Sequence, residues 1–265
     1  MLNPRIIPCL LIKDKGLVKT IKFSNPKYVG DPLNAVKIFN EKVVDELLVI
    51  DISATVEKRD PDYNMIEKLA VECRMPLCYG GGVKNKEQAL RIFELGVEKI
   101  AMSSSVLADS SIIGDLASIV GTQSIVVALD VKKNVFSDKY QIYTHNGLRK
   151  TGLNPVEIAK KLEGLGCGEI LINSINNDGM MKGFDYLIIN AIRNAVSIPI
   201  TVLGGAGSLD DIGQMIKLNE IIGVAAGSLF VFKGKYKAVL INYPNPYEKE
   251  VFLKKYYHET NTSIV

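Results

Sequence analysis

The chain has 265 residues, of which 47% are hydrophobic, and a formal net charge of +3. This length suits one α/β barrel or two small domains, and the slight, evenly spread positive charge does not favour nucleic acid or a membrane surface as a partner. No apolar run approaches the ~20 residues of a membrane helix, so we expect a soluble, cytoplasmic protein.

The cysteines lack the paired spacing of a zinc or redox site. They stand in apolar or strand-like segments, at Cys9, Cys73, Cys78 and Cys167. We interpret them as reduced residues of the core, which is typical of a reducing cytoplasm. The sequence gives no reason to expect a metal ion or an organic cofactor.

Short β-branched segments alternate with amphipathic segments along the chain. Eight of them have the apolar character of buried parallel strands: RIIPCLL, ELLVIDI, PLCYGG, EKIAMS, SIVVALD, EILINSI, PITVLGG and IIGVAAG. Residues 31–44 and 85–97, between such strands, carry apolar residues at helical spacing. Strand–helix units in this number predict a (β/α)8 TIM barrel.

The sequence also repeats itself at about half its length. Two pairs of segments match: 75–96 with 198–219, and 45–53 with 168–176. We therefore predict one domain over 1–265, built from duplicated half-barrels at about 1–120 and 121–240. Residues 241–265 form a divergent C-terminal tail, whose helix-like stretch 248–257 either closes the barrel or packs elsewhere.

Two glycine clusters, 80–82 and 204–207, each follow a predicted strand and precede a helical segment. Small hydroxyl-bearing segments, 103–105 and 226–228, end the next strand in each case. Glycines either make tight turns here or let backbone amides approach an anion beside a helix N-terminus. The duplication favours two phosphate cradles at one barrel mouth, and hence a phosphorylated small-molecule substrate with a phosphate at each end.

Asp130 ends the fifth predicted strand, where barrel enzymes place catalytic groups. The chain has two histidines, so carboxylates are the expected acid–base groups, and Asp51 and Asp178 also stand at or after strand ends. Each aspartate could instead cap a helix or hold a loop. We interpret His145, in a hairpin-like loop, as a surface residue. The repeat places Leu11, at the end of strand one, in the position equivalent to Asp130.

Charged residues stand at the opposite ends of the strands. Arg5, Glu46, Lys99 and Glu169 lie at or next to the starts of strands one, two, four and six. Their alternating charges should converge as a ring at the barrel bottom. A plain ion-pair network that plugs the barrel would have the same pattern.

The motifs RIIPCL, GDP, DEL, VIDIS, YGGGV, VVALD, GEIL, NDG, GFD and GGAGS occur in this order. With them the chain resembles, over about residues 3–232, the HisF family, the cyclase subunit of imidazole glycerol phosphate synthase. The tail departs from the family. The resemblance implies a lyase-type synthase subunit that forms a heterodimer with a HisH-type glutaminase docked on the barrel bottom. Ammonia from that partner would cross the barrel to a bis-phosphorylated substrate.

The resemblance also implies roles for individual residues. The charged residues Arg5, Glu46, Lys99 and Glu169 would form the ammonia gate. The phosphate-binding residues would be Gly81, Gly82, Ser103, Ser104, Gly179, Gly205, Gly227 and Ser228. Lys19, Asp51 and Asp178 are possible substrate contacts. Asp130 matches one of the family's two catalytic aspartates, while Leu11 stands where the other is expected. Asn176 and Met180 replace the Asp and Thr that the family usually shows.

These departures leave several hypotheses open. The segment CLLIKDKGLVKTIKF resembles a divergent branch associated with surface-polysaccharide pathways, such as lipopolysaccharide synthesis, in which the barrel supplies ammonia to a separate sugar-amidating enzyme. The alternative is a genuine cyclase of histidine biosynthesis, forming imidazole glycerol phosphate and AICAR, with Lys19, Asp51 or water replacing the missing acid. A related single-chain sugar isomerase needs no glutaminase, so the charged ring disfavours it. A purely structural scaffold would leave the phosphate cradles unexplained.

Overall fold

The computed structural model describes residues 3–134, 137–219 and 222–258. The last residues of the predicted tail, 259–265, therefore lie outside the described residues. No helix in the described ranges is both long enough and apolar enough to span a bilayer.

The chain forms strands and helices in regular alternation. The strands are β1 (Arg5–Lys13), β2 (Gly16–Ile21), β3 (Ser24–Gly30), β4 (Leu47–Asp51), β5 (Leu77–Gly80), β6 (Lys99–Met102), β7 (Ile125–Lys133), β8 (Tyr140–Thr144), β9 (Arg149–Lys150), β10 (Glu169–Ser174), β11 (Ile200–Leu203), β12 (Gly223–Ala226), β13 (Phe232–Lys233) and β14 (Ala238–Val239). The helices are α1 (Pro32–Lys42), α2 (Tyr63–Glu72), α3 (Lys86–Glu94), α4 (Ser104–Ala108), α5 (Ser111–Val120), α6 (Pro155–Gly164), α7 (Tyr186–Arg193), α8 (Leu209–Asn219), α9 (Ser228–Val231) and α10 (Pro246–Leu253).

A closed parallel barrel forms the centre of the molecule. Its strands pair in the order β1, β4, β5, β6, β7, β10, β11 and β12, and β12 returns to β1 with Ile6 opposite Val224. The predicted TIM barrel and its eight strands are thereby confirmed. Because all strands run the same way, their carboxyl ends meet at one opening, the mouth, and their starts meet at the other end, the bottom.

Local sequence signals fix where the helices begin. Asp31 caps α1 by accepting a hydrogen bond from the Asn34 backbone N–H at 2.9 Å, and Pro32 follows at the first helical position. α6 begins in the same way at Asn154 and Pro155. Side-chain caps and N-terminal prolines satisfy or remove amide donors that a helix cannot pair internally.

Alternation along the strands divides the apolar residues into two cores. Ile6 and Leu10 of β1 face outward into the large core between the strands and the helices. The smaller core fills the barrel interior and comprises Ile7, Cys9, Leu48, Cys78, Ala101, Val126, Leu171, Leu203 and Ala225. Inward and outward positions alternate because successive side chains of a strand point to opposite faces. Three of the unpaired cysteines are buried as expected, whereas Cys73 is only half-buried.

Two hairpins extend the barrel beyond its mouth. After β1 the chain folds into β2 and β3, and after β7 it folds into β8 and β9. β1 and β7 are the first and fifth barrel strands, so the hairpins rise from opposite sides of the mouth. The sequence indicated the second hairpin, but it did not indicate that the segment after β1 is a β-ribbon.

The tail packs along the outside of the barrel near β1. Tyr243 Oη donates to the Ile6 carbonyl at 2.9 Å, and Lys249 Nζ lies 2.7 Å from Asp45 Oδ1, just before β4. The predicted helix over 248–257 is α10, followed by one wider turn at Lys254–His258.

The end of the tail packs on α8. The Tyr256 hydroxyl donates to Asp210 in the first turn of α8, and its ring covers Gly213 one turn later. The tail thus contacts both α8 and, through Lys249, the end of α1. Of the two arrangements that the sequence left open, the tail takes the place of an eighth helix closing the outer ring.

We expect Gly213→Ala to destabilise the protein by about 1–3 kcal/mol, because a Cβ there would lie 2.5 Å from the buried Tyr256 ring. In a Tyr256→Ala background the same change should stabilise α8 by up to about 1 kcal/mol, since alanine favours helix more than glycine does. Urea unfolding of the four proteins measures both effects. A loss of stability in both backgrounds would contradict this packing.

Candidate active site at the barrel mouth

The four charged residues at the bottom form a closed ring. Arg5 pairs with Glu46 and, at 2.8 Å, with Glu169, while Lys99 Nζ lies 2.9 Å from a carboxylate oxygen of each glutamate. The Thr201 hydroxyl donates to Glu169 as well. The structure therefore brings together the four residues that the sequence predicted to converge.

The charges of the ring depend on one another. Burial alone would raise the pKa of the Glu169 carboxyl, but Arg5 and Lys99 hold it below its ordinary value. Burial likewise would lower the pKa of the Lys99 ammonium, and Glu169 with Glu46 raises it instead. Removing one member would leave its neighbours buried with unmatched charge. The side chains of Arg5 and Lys99 remain 25% and 19% exposed, so the ring can be reached from the bottom.

At the other end, the mouth contains a cavity of about 480 Å³. Its walls include most residues that the sequence placed at the mouth, namely Leu11, Lys19, Asp51, Gly81, Gly82, Ser103, Ser104, Asp130, Asp178, Gly179, Gly205, Gly227 and Ser228. Between this cavity and the charged ring lies the apolar interior of the barrel. The molecule thus has one axis with a charged end, an apolar middle and a polar mouth.

Asp130 lies in the wall of this cavity, on β7. Asn173, directly beside it on β10, donates its Nδ2 to Asp130 Oδ1 at 2.9 Å. Burial raises the pKa of Asp130 to about 7, although the Asn173 hydrogen bond opposes the rise; the nearby Asp178 adds to it. A carboxyl with that pKa can both give and take a proton near neutral pH.

Leu11 stands across the mouth from Asp130. Three barrel strands separate β1 from β7 in either direction, so the two residues end opposite strands. Leu11 is half-buried and packs on the apolar interior. The end of β1 therefore offers the cavity a hydrocarbon side chain and no proton donor or acceptor.

The other two aspartates hold loops. Asp51 Oδ1 accepts hydrogen bonds from Ser53 and from the Ala54 backbone N–H at 2.9–3.0 Å. Asp178 Oδ2 accepts from the Thr20 hydroxyl at 2.7 Å and from the Phe23 backbone N–H at 3.0 Å, which fastens the β2–β3 hairpin to the loop after β10. In this structure both carboxylates have the loop-holding role that the sequence left as an alternative.

Lys19 is buried on β2, inside the mouth. Its ammonium donates to the Cys9 carbonyl at 2.5 Å, and a side chain at Gly227 would come within 2.7 Å of it. Burial lowers the pKa of Lys19. The β2–β3 hairpin therefore places a cationic group beside the Gly227–Ser228 cluster.

The predicted phosphate cradles lie on opposite sides of the mouth. The first follows β5 and β6, and the second follows β11 and β12. A side chain at Gly81 would come within 2.3 Å of the Asp51 carbonyl, and one at Gly205 within 2.1 Å of the Gly183 carbonyl, so both close approaches require glycine. Ser103 Oγ is buried and has no hydrogen-bond partner among the described residues.

Sequence reasoning missed some residues of the cavity and misplaced others. Asn173 and His145 line it, although His145 was expected at the surface. Two left-handed residues followed by Gly147 bend the hairpin tip into the mouth, and the segment HNG is the only sequence signal for that turn. Asn176 instead accepts a hydrogen bond from the Lys133 backbone N–H at 2.9 Å, so it serves the β7–β8 hairpin.

Comparisons with known proteins agree with this architecture. The family described as histidine biosynthesis protein matches residues 5–237. A protein of Vibrio vulnificus, provisionally named imidazole glycerol phosphate synthase subunit hisF3, is 56% identical over 254 residues, which cover 96% of this chain and 98% of that protein. The provisionally named subunit hisF2 of Pseudomonas aeruginosa is 49% identical, covering 92% and 97%. The imidazole glycerol phosphate synthase subunit HisF of Petrotoga mobilis is 39% identical, covering 90% and 94%.

We expect Asp130→Asn to stabilise the protein above pH 7. With its pKa raised from 3.8 to about 7, native Asp130 holds its proton where the unfolded chain has lost it, so its contribution to the free energy of unfolding falls as pH rises through that window. Asparagine cannot ionise, and the gain should reach a few kcal/mol at most. Urea unfolding at several pH values tests this, with exposed Asp138→Asn as the control. A gain independent of pH would contradict it.

Proposed function

The chain belongs to the histidine biosynthesis protein family as a HisF-like imidazole glycerol phosphate synthase subunit, and we propose that it is the ammonia-accepting barrel of a glutamine amidotransferase. The observation that carries the proposal is the arrangement of charged and apolar residues along the axis of the barrel. A closed ring of four charges lies at one end, apolar side chains fill the middle, and a cavity whose walls include Asp130 lies at the other end.

The apolar interior of the barrel suits the passage of ammonia. The neutral molecule can cross the apolar interior, where Cys9, Cys78 and Ala101 contribute small side chains, whereas ammonium would have to lose its hydration. The ring of Arg5, Glu46, Lys99 and Glu169 would act as the gate. Opening it requires one of the cations to move, and Lys99 is a candidate because it makes two ion pairs, whereas Arg5 makes two and also donates to the Thr201 hydroxyl at 3.4 Å.

The proposed source of ammonia is a glutaminase of HisH type docked at the bottom to form a heterodimer. The bottom surface supports such a partner, because large apolar side chains are exposed at the C-terminal ends of the helices and beside α10. These are Val43, Ile119, Leu218 and Tyr247, each more than half exposed. An apolar rim around a charged gate is a surface that a partner could cover while keeping ammonia out of solvent.

The proposed ligand of the mouth is a small molecule phosphorylated at both ends. Glycines at positions 81 and 205 let the backbone approach each end, and the short helices α4 and α9 begin beside them at Ser104 and Ser228. Lys19 would add a positive charge to the second site. The two cradles lie on opposite sides of the mouth, so one ligand could occupy both while its middle faces Asp130.

The absence of a carboxylate at Leu11 supports a diverted function. A cyclisation that uses two acid–base groups would lose one of them, which typically costs ~10²- to 10⁴-fold in rate. We therefore favour delivery of ammonia to a separate enzyme that amidates a sugar of a surface polysaccharide.

The second candidate is a genuine cyclase of histidine biosynthesis, forming imidazole glycerol phosphate and AICAR from the bis-phosphorylated ribulosyl-formimino precursor. Asp130 favours it, because a carboxyl with a pKa of about 7 in a cavity suits catalysis in place. The Petrotoga relative, named as such a subunit, also matches over most of its length.

We expect a stable complex with a glutaminase from the same genome, formed through the bottom. Leu218→Asp should raise its Kd at least ~10-fold, because it would bury a charge in the interface. Leu148→Asp, equally exposed but at the mouth, is the matched control and should change nothing. Isothermal titration and glutamine hydrolysis assays measure both. Equal effects of the two variants, or no binding to any such glutaminase, would contradict the proposal.

We expect the native chain to form imidazole glycerol phosphate very slowly even with excess ammonium chloride, which bypasses the partner. Leu11→Asp should raise turnover by ~10²-fold or more by restoring a second acid–base group. Leu11→Asn introduces a side chain of nearly the same shape as aspartate but without the acid, so it should not raise turnover. Asp130→Asn should abolish the remaining activity. Brisk native turnover with no gain from Leu11→Asp would favour the second candidate.

A further inference from the structure

The tip of the β8–β9 hairpin carries a histidine into the mouth. His145 and Asn146 both adopt left-handed backbone conformations, with φ values of 54° and 56°, and Gly147 follows at 71°. Such a run is costly for residues with side chains and persists only where surrounding contacts fix it. The tip is therefore held in a particular place over the cavity.

Two contacts show where the tip is held. Asn146 Nδ2 donates to the Ile52 carbonyl in the loop after β4, and the Ile52 backbone N–H in turn donates to the Ile12 carbonyl of β1 at 3.0 Å. At Gly147, a side chain would lie 3.4 Å from the Phe23 ring of the β2–β3 hairpin. The hairpin rises from the fifth barrel strand, but its tip is attached beside the first and second strands.

These contacts, together with Ile175 after β10, which would also lie 3.4 Å from a side chain at Gly147, hold the tip over the cavity that His145 lines. Asp130 remains on β7, at the base of the hairpin and paired with Tyr143. Leu11, at the end of β1, pairs with Ile50 of β4. Ile50 stands two residues before Ile52, whose carbonyl anchors the tip. His145 and Asp130 thus line the same cavity.

The imidazole has a free nitrogen. Nδ1 lies 3.1 Å from the Thr144 hydroxyl oxygen, and Nε2 makes no hydrogen bond within the described ranges. When Nδ1–H donates to Thr144, Nε2 keeps its lone pair available. Burial and the Arg149 guanidinium lower the pKa of His145, which keeps the ring neutral at neutral pH.

The other candidates for a second acid–base group have partners. Asp51 holds the turn after β4, Asp178 clamps the β2–β3 hairpin, and the Lys19 ammonium donates to the Cys9 carbonyl. Freeing any of them would require a loop or hairpin to move. His145 could act without such a movement.

We propose that His145 is a second acid–base residue of the mouth, acting together with Asp130 in the role for which Leu11 has no chemistry. The assignment rests on the second candidate function in one respect, that ammonia meets a carbonyl-bearing acceptor in this cavity. The ammonia nitrogen forms a bond to the carbonyl carbon, and the carbonyl π pair moves to oxygen. His145 Nε2 takes one proton from that nitrogen while protonated Asp130 gives one to the oxygen. Exchange with water then resets both groups.

The test is a double-variant cycle at saturating ammonium chloride, with the bis-phosphorylated ribulosyl-formimino precursor as the probe. His145→Gln should lower the slow native turnover ~10²-fold. In the Leu11→Asp background it should lower turnover less than ~3-fold, because the new carboxylate performs the same proton transfer. Leu148→Gln, on the same hairpin and exposed, is the matched control and should leave turnover unchanged. Thermal unfolding verifies that every variant is folded.

Each other outcome counts against the assignment. Equal losses in the two backgrounds would mean that His145 supports the hairpin rather than the chemistry. An unaffected native turnover, or a native chain without any, would mean that the imidazole does not replace the carboxylate. Because added ammonium bypasses the glutaminase, these results are independent of whether a complex forms at the bottom.

Discussion

The ring of four alternating charges at the barrel bottom is the interaction on which the rest of the architecture depends. Each charge comes from a different strand, and each is buried enough to require its neighbours. The ring therefore fixes the relative positions of β1, β4, β6 and β10 at one end. It also closes that end, so the interior above it can be lined by apolar side chains and open only at the mouth.

The mouth is shaped by two hairpins that rise from opposite strands and meet above the cavity. Asp178 fastens one to the loop after β10, and Asn146 fastens the other to the loop after β4. These contacts use polar groups that would otherwise face a ligand. Other groups still face the cavity, among them Asp130, which accepts a hydrogen bond from Asn173, and the imidazole of His145.

The two sides of the mouth differ even though the sequence repeats. The first cradle and the second share their glycines and their positions after strands, whereas Leu11 and Asp130, at opposite strand ends, share no chemistry. A barrel that keeps both ends of a ligand site and changes its centre can retain binding while its reaction changes. That combination suits a family member whose ammonia is used differently.

The sequence by itself determined the barrel, the membership of the charged ring and part of the set of residues at the mouth, because strand periodicity and the rule that parallel strands share their ends are properties of local sequence. It could not determine which of those residues are free. Asp178 and Lys19 have their partners on other segments, and His145 enters the cavity only because a left-handed turn and Asn146 direct the hairpin tip over the mouth. The position of the tail was likewise not determined by the sequence. Its helix was visible in the sequence, but its place against α8 depends on Gly213 leaving room for the Tyr256 ring. Such contacts join residues far apart in the chain, so only the tertiary structure decides them.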